Sequence, residues 1–364
     1  MRRRPGRWRR RSSPAARAAW IATRRSSDAI VVRTLAHARL TTNARSSSMT
    51  GAVASSAPLS IVVVGAGGVG GYFGGRLARA GVPVTFLARG AHLDALRARG
   101  LTVRSAVEGE WTVPVDAVAA LDGRGPADVV LLCVKGFDTD AALEAVRPVV
   151  GPATAVVSLQ NGVEAVERIA AAFGPGHAVG GAAYVFAALE APGVVVHRFA
   201  GRLVVGELDG QPSARCQRLQ AALARAGVPA ELSPDIRRVL WEKYAFIGAQ
   251  AGVTALTRCP TGVIRAIPET WRLYRALVEE FVALGRAAGV ALPDDTVDRV
   301  MAAAAALAPD TTSSLAHDLV HGRRLELETL HGYAVRLGER LGVPLPTVAA
   351  VYAALKPHAA GAPR

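Results

Sequence analysis

Two groups of residues in this sequence could do chemistry: a glycine cluster spaced to hold phosphates, and a very small set of lysines. Gly65-Ala66-Gly67-Gly68-Val69-Gly70 has the spacing G-x-G-x-x-G. That spacing lets Gly65 make a tight turn, leaves no side chain at Gly67 where a pyrophosphate must approach, and lets Gly70 bring a helix close to a strand. The lysines are Lys135, Lys243 and Lys356, against 40 arginines. Arginine is effectively always charged, whereas a lysine ammonium can give up its proton in a reaction. A lysine kept in so arginine-rich a chain is a candidate for that work, the plain alternative for Lys243 being a surface helix lysine.

These residues need elements to position them. Ile61 to Val64 form an apolar run that enters the glycine turn, and Tyr72 to Ala80 continue as a helix, whose N-terminus would hold the phosphates. A second strand, Val84 to Leu87, ends in Ala88-Arg89-Gly90. A site for NAD carries Asp or Glu there to bond the ribose 2′-hydroxyl. The Arg89 guanidinium instead suits a 2′-phosphate, which predicts NADPH, a solvated loop arginine being the alternative.

Further along, residues 91 to 99 read as a short helix, and Leu101 to Val103 and Trp111 to Val115 as strands around Glu108-Gly109. Val129 to Val134 is an all-apolar run suited to a parallel strand buried on both faces, and it stops at Lys135-Gly136. Ala155 to Leu159 runs likewise into Gln160-Asn161-Gly162. Ligands of open parallel sheets bind at carboxyl ends of strands, so Lys135 and Asn161 are placed toward the crevice of the glycine turn. Strands near Val179 to Phe186, Val194 to Phe199 and Leu203 to Gly206 follow, then a helix from Ser213 to Ala226. A linker is expected near 228 to 234. Ser233 and Pro234 read as N-cap and first residue of a long helix. Helical patterns then fill 234 to 256, 268 to 288, 294 to 307, 312 to 320, 324 to 341 and 346 to 356. The expected fold class is α/β plus all-α, a Rossmann-type doubly wound sheet followed by a helical domain.

The composition bounds the rest. The 364 residues, 51% of them hydrophobic, suffice for two domains, and no apolar run approaches the length of a membrane span. Cys133, Cys216 and Cys259 fit no metal-ligand spacing or disulfide framework, which suggests a reducing, cytoplasmic compartment. The net charge of +14 looks like a nucleic-acid signal until it is located. Residues 1 to 48 hold 13 arginines and one acid, Asp28, so the body is nearly neutral and offers no nucleic-acid groove. The leader fits three readings: an Arg-rich, Ser-rich transit segment, a basic disordered arm, or upstream sequence before a start at Met49. The expected division is a leader over 1–57, an NADP-binding domain over 58–230 and a helical substrate and catalytic domain over 231–358.

Gly65 to Gly70, Arg89, Val134-Lys135, Ser158-Leu159-Gln160-Asn161-Gly162, Leu240-Trp241-Glu242-Lys243, Ser313-Ser314 and Glu326 together resemble the ketopantoate reductase (2-dehydropantoate 2-reductase) family, in order, from about Leu59 to Lys356. The resemblance implies NADPH-dependent reduction of a 2-oxo acid to a 2-hydroxy acid in a cleft between two domains. It makes Lys243 the general acid, which donates a proton to the alkoxide that hydride addition builds. It makes Asn161 a residue touching nicotinamide and substrate, Ser314 the serine holding the substrate carboxylate, Glu326 a cleft glutamate near both, and Lys135 a cofactor-side lysine. Read without the resemblance, Asn161-Gly162 is a turn, Ser314 an N-cap and Glu326 a first-turn helix acid.

One departure bears on the substrate. Pantoate-forming members of the family present Asn one and two turns beyond the lysine, and here Ile247 and Ala251 stand there, with Thr261 where Asn is frequent. Gln250, on nearly the same helix face as Lys243, could supply one amide. A weakened preference for the hydroxyl of ketopantoate is therefore expected. The expected partner is a small 2-oxo acid, with no nucleic acid on the body and no membrane, and a homodimer is left open. A non-enzymatic NADPH-binding regulator would not need Lys243. A decarboxylating 3-hydroxyacid dehydrogenase pairs its lysine with a nearby Asn, and no Asn follows Asn161.

Overall fold

The computed structural model describes residues 59 to 362, so the leader expected over residues 1 to 57 lies outside the described part. Strand β1, Ile61–Val64, is buried along its whole length, as its unbroken β-branched run requires of a central parallel strand. It lies between β2 (Val84–Leu87) and β6 (Val129–Leu132), parallel to both. Asp116–Val118 (β5), a strand too short to have been read, adds beyond β2, and Ala155–Ser158 (β7) and Ala178–Ala191 (β8) add beyond β6. The parallel order β5-β2-β1-β6-β7-β8 is the doubly wound order expected. The first crossover helix, α1 (Gly68–Arg79), starts four residues before the expected Tyr72, because glycines of the fingerprint themselves form its first turn. Helix α2 is Gly90–Arg99, and the crossovers α3 (Thr139–Val146) and α4 (Glu164–Phe173) had not been singled out.

The sheet departs from expectation beyond β8. Residues 194–199 and 203–206 belong to a single strand, β9 (Val194–Glu207), antiparallel to β8 along a hairpin of two 14-residue strands. Ala200 at φ 63° and Gly201 at φ 124° form a bulge opposite the Tyr184/Val185 step, and that local break made one strand look like two. Leu101–Ser105 (β3) pairs with the first half of β9, and Gly109–Val113 (β4) pairs with β3. This second half of the sheet curls over α1. The helix is thus packed on two sides: a Cβ at Gly74 would strike Phe86 and β1, while a Cβ at Gly71 or Gly75 would strike Val195 or Leu101.

Helix α5 (Ala214–Arg225) is capped by Ser213, whose Oγ accepts from the Cys216 N–H at 3.2 Å. The stretch expected as a linker instead holds β10 (Ala230–Leu232), parallel to the second half of β9. The long helix α6, Ile236–Thr257, is capped by Asp235 rather than Ser233. The Asp235 carboxylate accepts from the Arg238 N–H at 3.1 Å, and Ser233 closes the turn before it by accepting from the Asp235 N–H. A short helix over Thr261–Ala266 (α7) had been missed, and α8 (Pro268–Ala287), α9 (Thr296–Ala305), α10 (Ser314–Val320) and α12 (Pro346–Leu355) fall where helical periodicity placed them. The expected helix over 324 to 341 is not continuous. Residues 323–325 are irregular, a π-helical turn covers Glu328–Gly332, and α11 runs Tyr333–Leu341. Helix α6 is the axis of this half: Tyr244 stacks edge-to-face on Phe281 of α8, with ring centroids 4.9 Å apart. Its start packs on the sheet, where Gly180 and Gly206 leave room for Ile236. Among the described residues no helix is long and apolar enough to cross a membrane, and the three cysteines are free thiols.

Candidate active site

The glycine turn is shaped for a dinucleotide. Gly65 adopts φ 92°, and a Cβ there would lie 2.8 Å from the Val134 amide nitrogen, so the turn tolerates only glycine. A Cβ at Gly67 would meet nothing within 4 Å: this is the open side, where a phosphate can approach the backbone. The N-terminus of α1 carries no side-chain cap, so its first N–H groups are free to bind an anion. Both observations fit the pyrophosphate of a nicotinamide dinucleotide. His92, which sequence reasoning missed, braces the loop. Its Nδ1 accepts from the Gly193 N–H at 2.9 Å, which leaves Nε2 as the N–H that donates to the Ala66 carbonyl at 2.9 Å. Arg89 is the N-cap residue of α2, with its side chain 92% exposed and only a 3.8 Å approach to Asp138. The guanidinium is available to an anion at the end of β2.

The ends of β6 and β7 meet one turn of the helical half. Lys135 Nζ lies 2.7 Å from Glu326 Oε2 and 3.3 Å from Asp318 Oδ2. The other Glu326 oxygen accepts from the Gly136 N–H at 3.0 Å. Burial pulls the Lys135 pKa down, but the two carboxylates outweigh it and hold the group above the ordinary lysine value. Thr329, three residues on, fits against both strand ends: a Cβ at Gly136 would strike its side chain, and a Cβ at Gly162 would lie 3.1 Å from its carbonyl. Gly162 also has φ 92°. Gln160 ties the strand ends to each other, donating to the Val134 carbonyl at 3.0 Å and to Thr139 Oγ1 at 2.9 Å. Asn161, beside it, is half-buried and its amide makes no hydrogen bond among the described residues. The π-helical turn that presents Thr329 is a feature frequent at functional sites. No pattern of residue types announced it.

Lys243 lies on α6 and is only 7% exposed. Its ammonium sits over the Tyr184 ring of β8, 5.7 Å from the centroid, and no acceptor among the described residues is within hydrogen-bond or ion-pair distance. Desolvation lowers its pKa from 10.5 to about 8, against a smaller upward pull from Glu326. An ammonium this dry and this unpaired is expensive to hold, and a pKa near the working range is what a general acid needs.

Ser313 and Ser314 divide the roles that two adjacent serines could take. Ser313 is the buried N-cap of α10: its hydroxyl accepts from the Ala316 N–H at 3.0 Å and bonds Thr254 Oγ1 at 2.7 Å. Ser314 is exposed, with a hydroxyl free of any hydrogen bond among the described residues. The N-cap role expected of Ser314 belongs to its neighbour Ser313. Gln250 and Thr261 are buried together, and their hydrogen bond is 2.7 Å long. Ala251 is buried and Ile247 packs against the helical core. The geometry thus links Lys135, Gly136, Gly162 and Glu326 directly, and places Lys243 within electrostatic reach of Glu326. Arg89 approaches the segment after β6 only through Asp138, at 3.8 Å.

Comparisons with known proteins fall on the same residues. The family model described as ketopantoate reductase PanE/ApbA matches residues 61–210, and its C-terminal counterpart matches 235–359. The 2-dehydropantoate 2-reductase of Mesorhizobium japonicum is 33% identical over 320 residues, covering 82% of this chain and 97% of that one. The uncharacterized oxidoreductase YkpB of Bacillus subtilis is 32% identical over 305 residues, covering 83% and 99%. Among solved structures, a PanE/ApbA family ketopantoate reductase from Ralstonia eutropha is 34% identical with a TM-score of 0.76, covering 83% of this chain and 98% of that one.

Proposed function

The chain belongs to the ketopantoate reductase family, and from that premise we propose that it reduces a 2-oxo acid to the 2-hydroxy acid with NADPH, best matched by ketopantoate to pantoate in pantothenate biosynthesis. The observation that carries the reading is the buried Lys243 ammonium, unpaired over Tyr184 and facing the half of the molecule that holds the dinucleotide turn. NADPH, when bound, supplies the hydride. Lys243 polarises the ketone oxygen and gives it the proton as the carbonyl carbon becomes tetrahedral, so that no free alkoxide forms. Ser314, with its exposed hydroxyl, holds the substrate carboxylate. The Asn161 amide bridges the nicotinamide side and the substrate. Glu326 holds Lys135 at the end of β6 and pulls the Lys243 pKa upward against the larger effect of desolvation.

The substrate's far end is where this chain departs from pantoate-forming members, since Ile247 and Ala251 offer no amide. A related reductase acting on a less polar branched 2-oxo acid is the second reading, and that substitution favours it. NADPH oxidation measured against a panel of 2-oxo acids separates the two. Turnover of ketopantoate or of a branched 2-oxo acid is expected, and turnover of neither would overturn the assignment.

A further inference from the structure

We propose that Gln250 reads a hydroxyl on the substrate: its side-chain carbonyl accepts the hydrogen bond of an O–H carried on the carbon chain beyond the ketone. The proposal rests on the 2-oxo acid reductase reading and names the specificity element that the missing asparagines left open. Gln250 is 6% exposed, and its Oε1 is buried without a hydrogen-bond partner among the described residues. Buried polar atoms are nearly always paired, so one that is not calls for an explanation.

The orientation of the amide follows from its neighbours. Thr261 Oγ1 stands 3.0 Å from the Thr311 carbonyl and 2.7 Å from Gln250 Nε2. A hydroxyl has one proton, and a carbonyl can only accept, so the Thr261 proton goes to Thr311. Gln250 must then donate to Thr261, which fixes Nε2 there and leaves Oε1 as the orphan. The vacant position is an acceptor. It suits a hydroxyl and repels a carboxylate.

The placement is equally specific. Residues seven apart on a helix are about 20° apart around its axis, so Gln250 shares the face of Lys243 two turns on. Thr254, on the same face one turn further, bonds Ser313 at 2.7 Å, and Ser313 is the chain neighbour of Ser314. The face therefore runs from the proton donor, past Gln250, to the serine pair. Ile247 between them is apolar and packs against the helical core. The proposal places the substituent beyond the ketone along this face, toward Gln250.

The test compares ketopantoate with 3,3-dimethyl-2-oxobutanoate, which lacks only the hydroxyl, in the wild type and in Gln250→Met, a variant of similar shape with no acceptor. The ratio of kcat/KM for the two acids should fall about 10- to 100-fold in the variant, the range for losing one buried hydrogen bond. An unchanged ratio, or equal losses on both acids, overturns the role of Gln250 while leaving the reductase reading intact. A wild type that reduces neither acid sinks the reductase reading, and this one with it. Should Gln250→Met fail to fold, the unmodified protein answers with the analogue carrying fluorine in place of the hydroxyl, which cannot donate. The fluoro acid should be used no better than the hydroxyl-free acid, and use equal to that of ketopantoate overturns the proposal.

Discussion

Lys135 and Glu326 stand 191 positions apart in the chain and meet at 2.7 Å where the sheet joins the helices. The same carboxylate bonds the Gly136 N–H and contributes the upward pull on the Lys243 pKa. Glu326→Gln removes the charge and keeps the shape. Lys243 then loses the favourable charge of Glu326, so its pKa falls further. The alkaline limb of the kcat/KM profile for reduction should move to lower pH in the variant. A limb that stays in place would show that Glu326 does not act on Lys243.

For the wild type, Lys243 must be protonated to act as an acid, so reduction should fall above about pH 8 and the reverse oxidation should rise there. Lys243→Ala should lower kcat by about 10²- to 10⁴-fold, the range for losing a general acid. NADPH affinity, read by fluorescence titration, should stay close to the wild-type value. Near-normal turnover would remove Lys243 from the chemistry.

The glycines of the fingerprint, alike in sequence, have different jobs. A Cβ at Gly67 meets open space, whereas one at Gly68 collides with the Ala187 backbone. Gly67→Ala should leave the melting temperature nearly unchanged and weaken NADPH binding, because the methyl would stand on the open side proposed for the pyrophosphate. Gly68→Ala should destabilise the fold, by about 1–3 kcal/mol if the hairpin yields. If Gly67→Ala binds NADPH normally, the cofactor does not lie on that side of the turn.

Arg89, 92% exposed and weakly paired, should discriminate between cofactors by its charge. Arg89→Ala is expected to weaken NADPH far more than NADH. Equal losses would leave no role for the guanidinium at a 2′-phosphate.

The parts legible in the sequence were those fixed by local patterns. The β1 run, the turn at Gly65 and the all-apolar β6 are each set by residue types within a few positions of one another. What could not be read was settled by distant contacts. β3 follows β2 in the chain but pairs with β9, and the Ala200-Gly201 bulge disguised one strand as two. β5 and β10 are three residues each, too short for periodicity to register. In the site, Lys135 and Asn161 were placed by strand ends and Lys243 by rarity and motif. Thr329 and His92 carried no signal, since each matters only for what folds against it.

The burial of the Lys243 ammonium works against the protein's stability. Its pKa is lower in the fold than in the unfolded chain, so between about pH 8 and 10.5 the unfolded state binds more protons and stability rises with pH. Below about pH 8 both states are charged and the penalty is complete. The fall from 10.5 to about 8 corresponds to a penalty on the order of 3 kcal/mol. Lys243→Met replaces the ammonium with an unbranched apolar chain of similar length. At pH 7 the variant should be more stable than the wild type by about 1–3 kcal/mol, as is common when a strained functional group is removed. Denaturant melts at pH 7 and pH 10 check it: the advantage should shrink at the higher pH, where the wild-type lysine is already neutral. A variant less stable at pH 7, or an advantage that grows with pH, would show that the ammonium is not held at a loss and that the fold does not strain itself to place it.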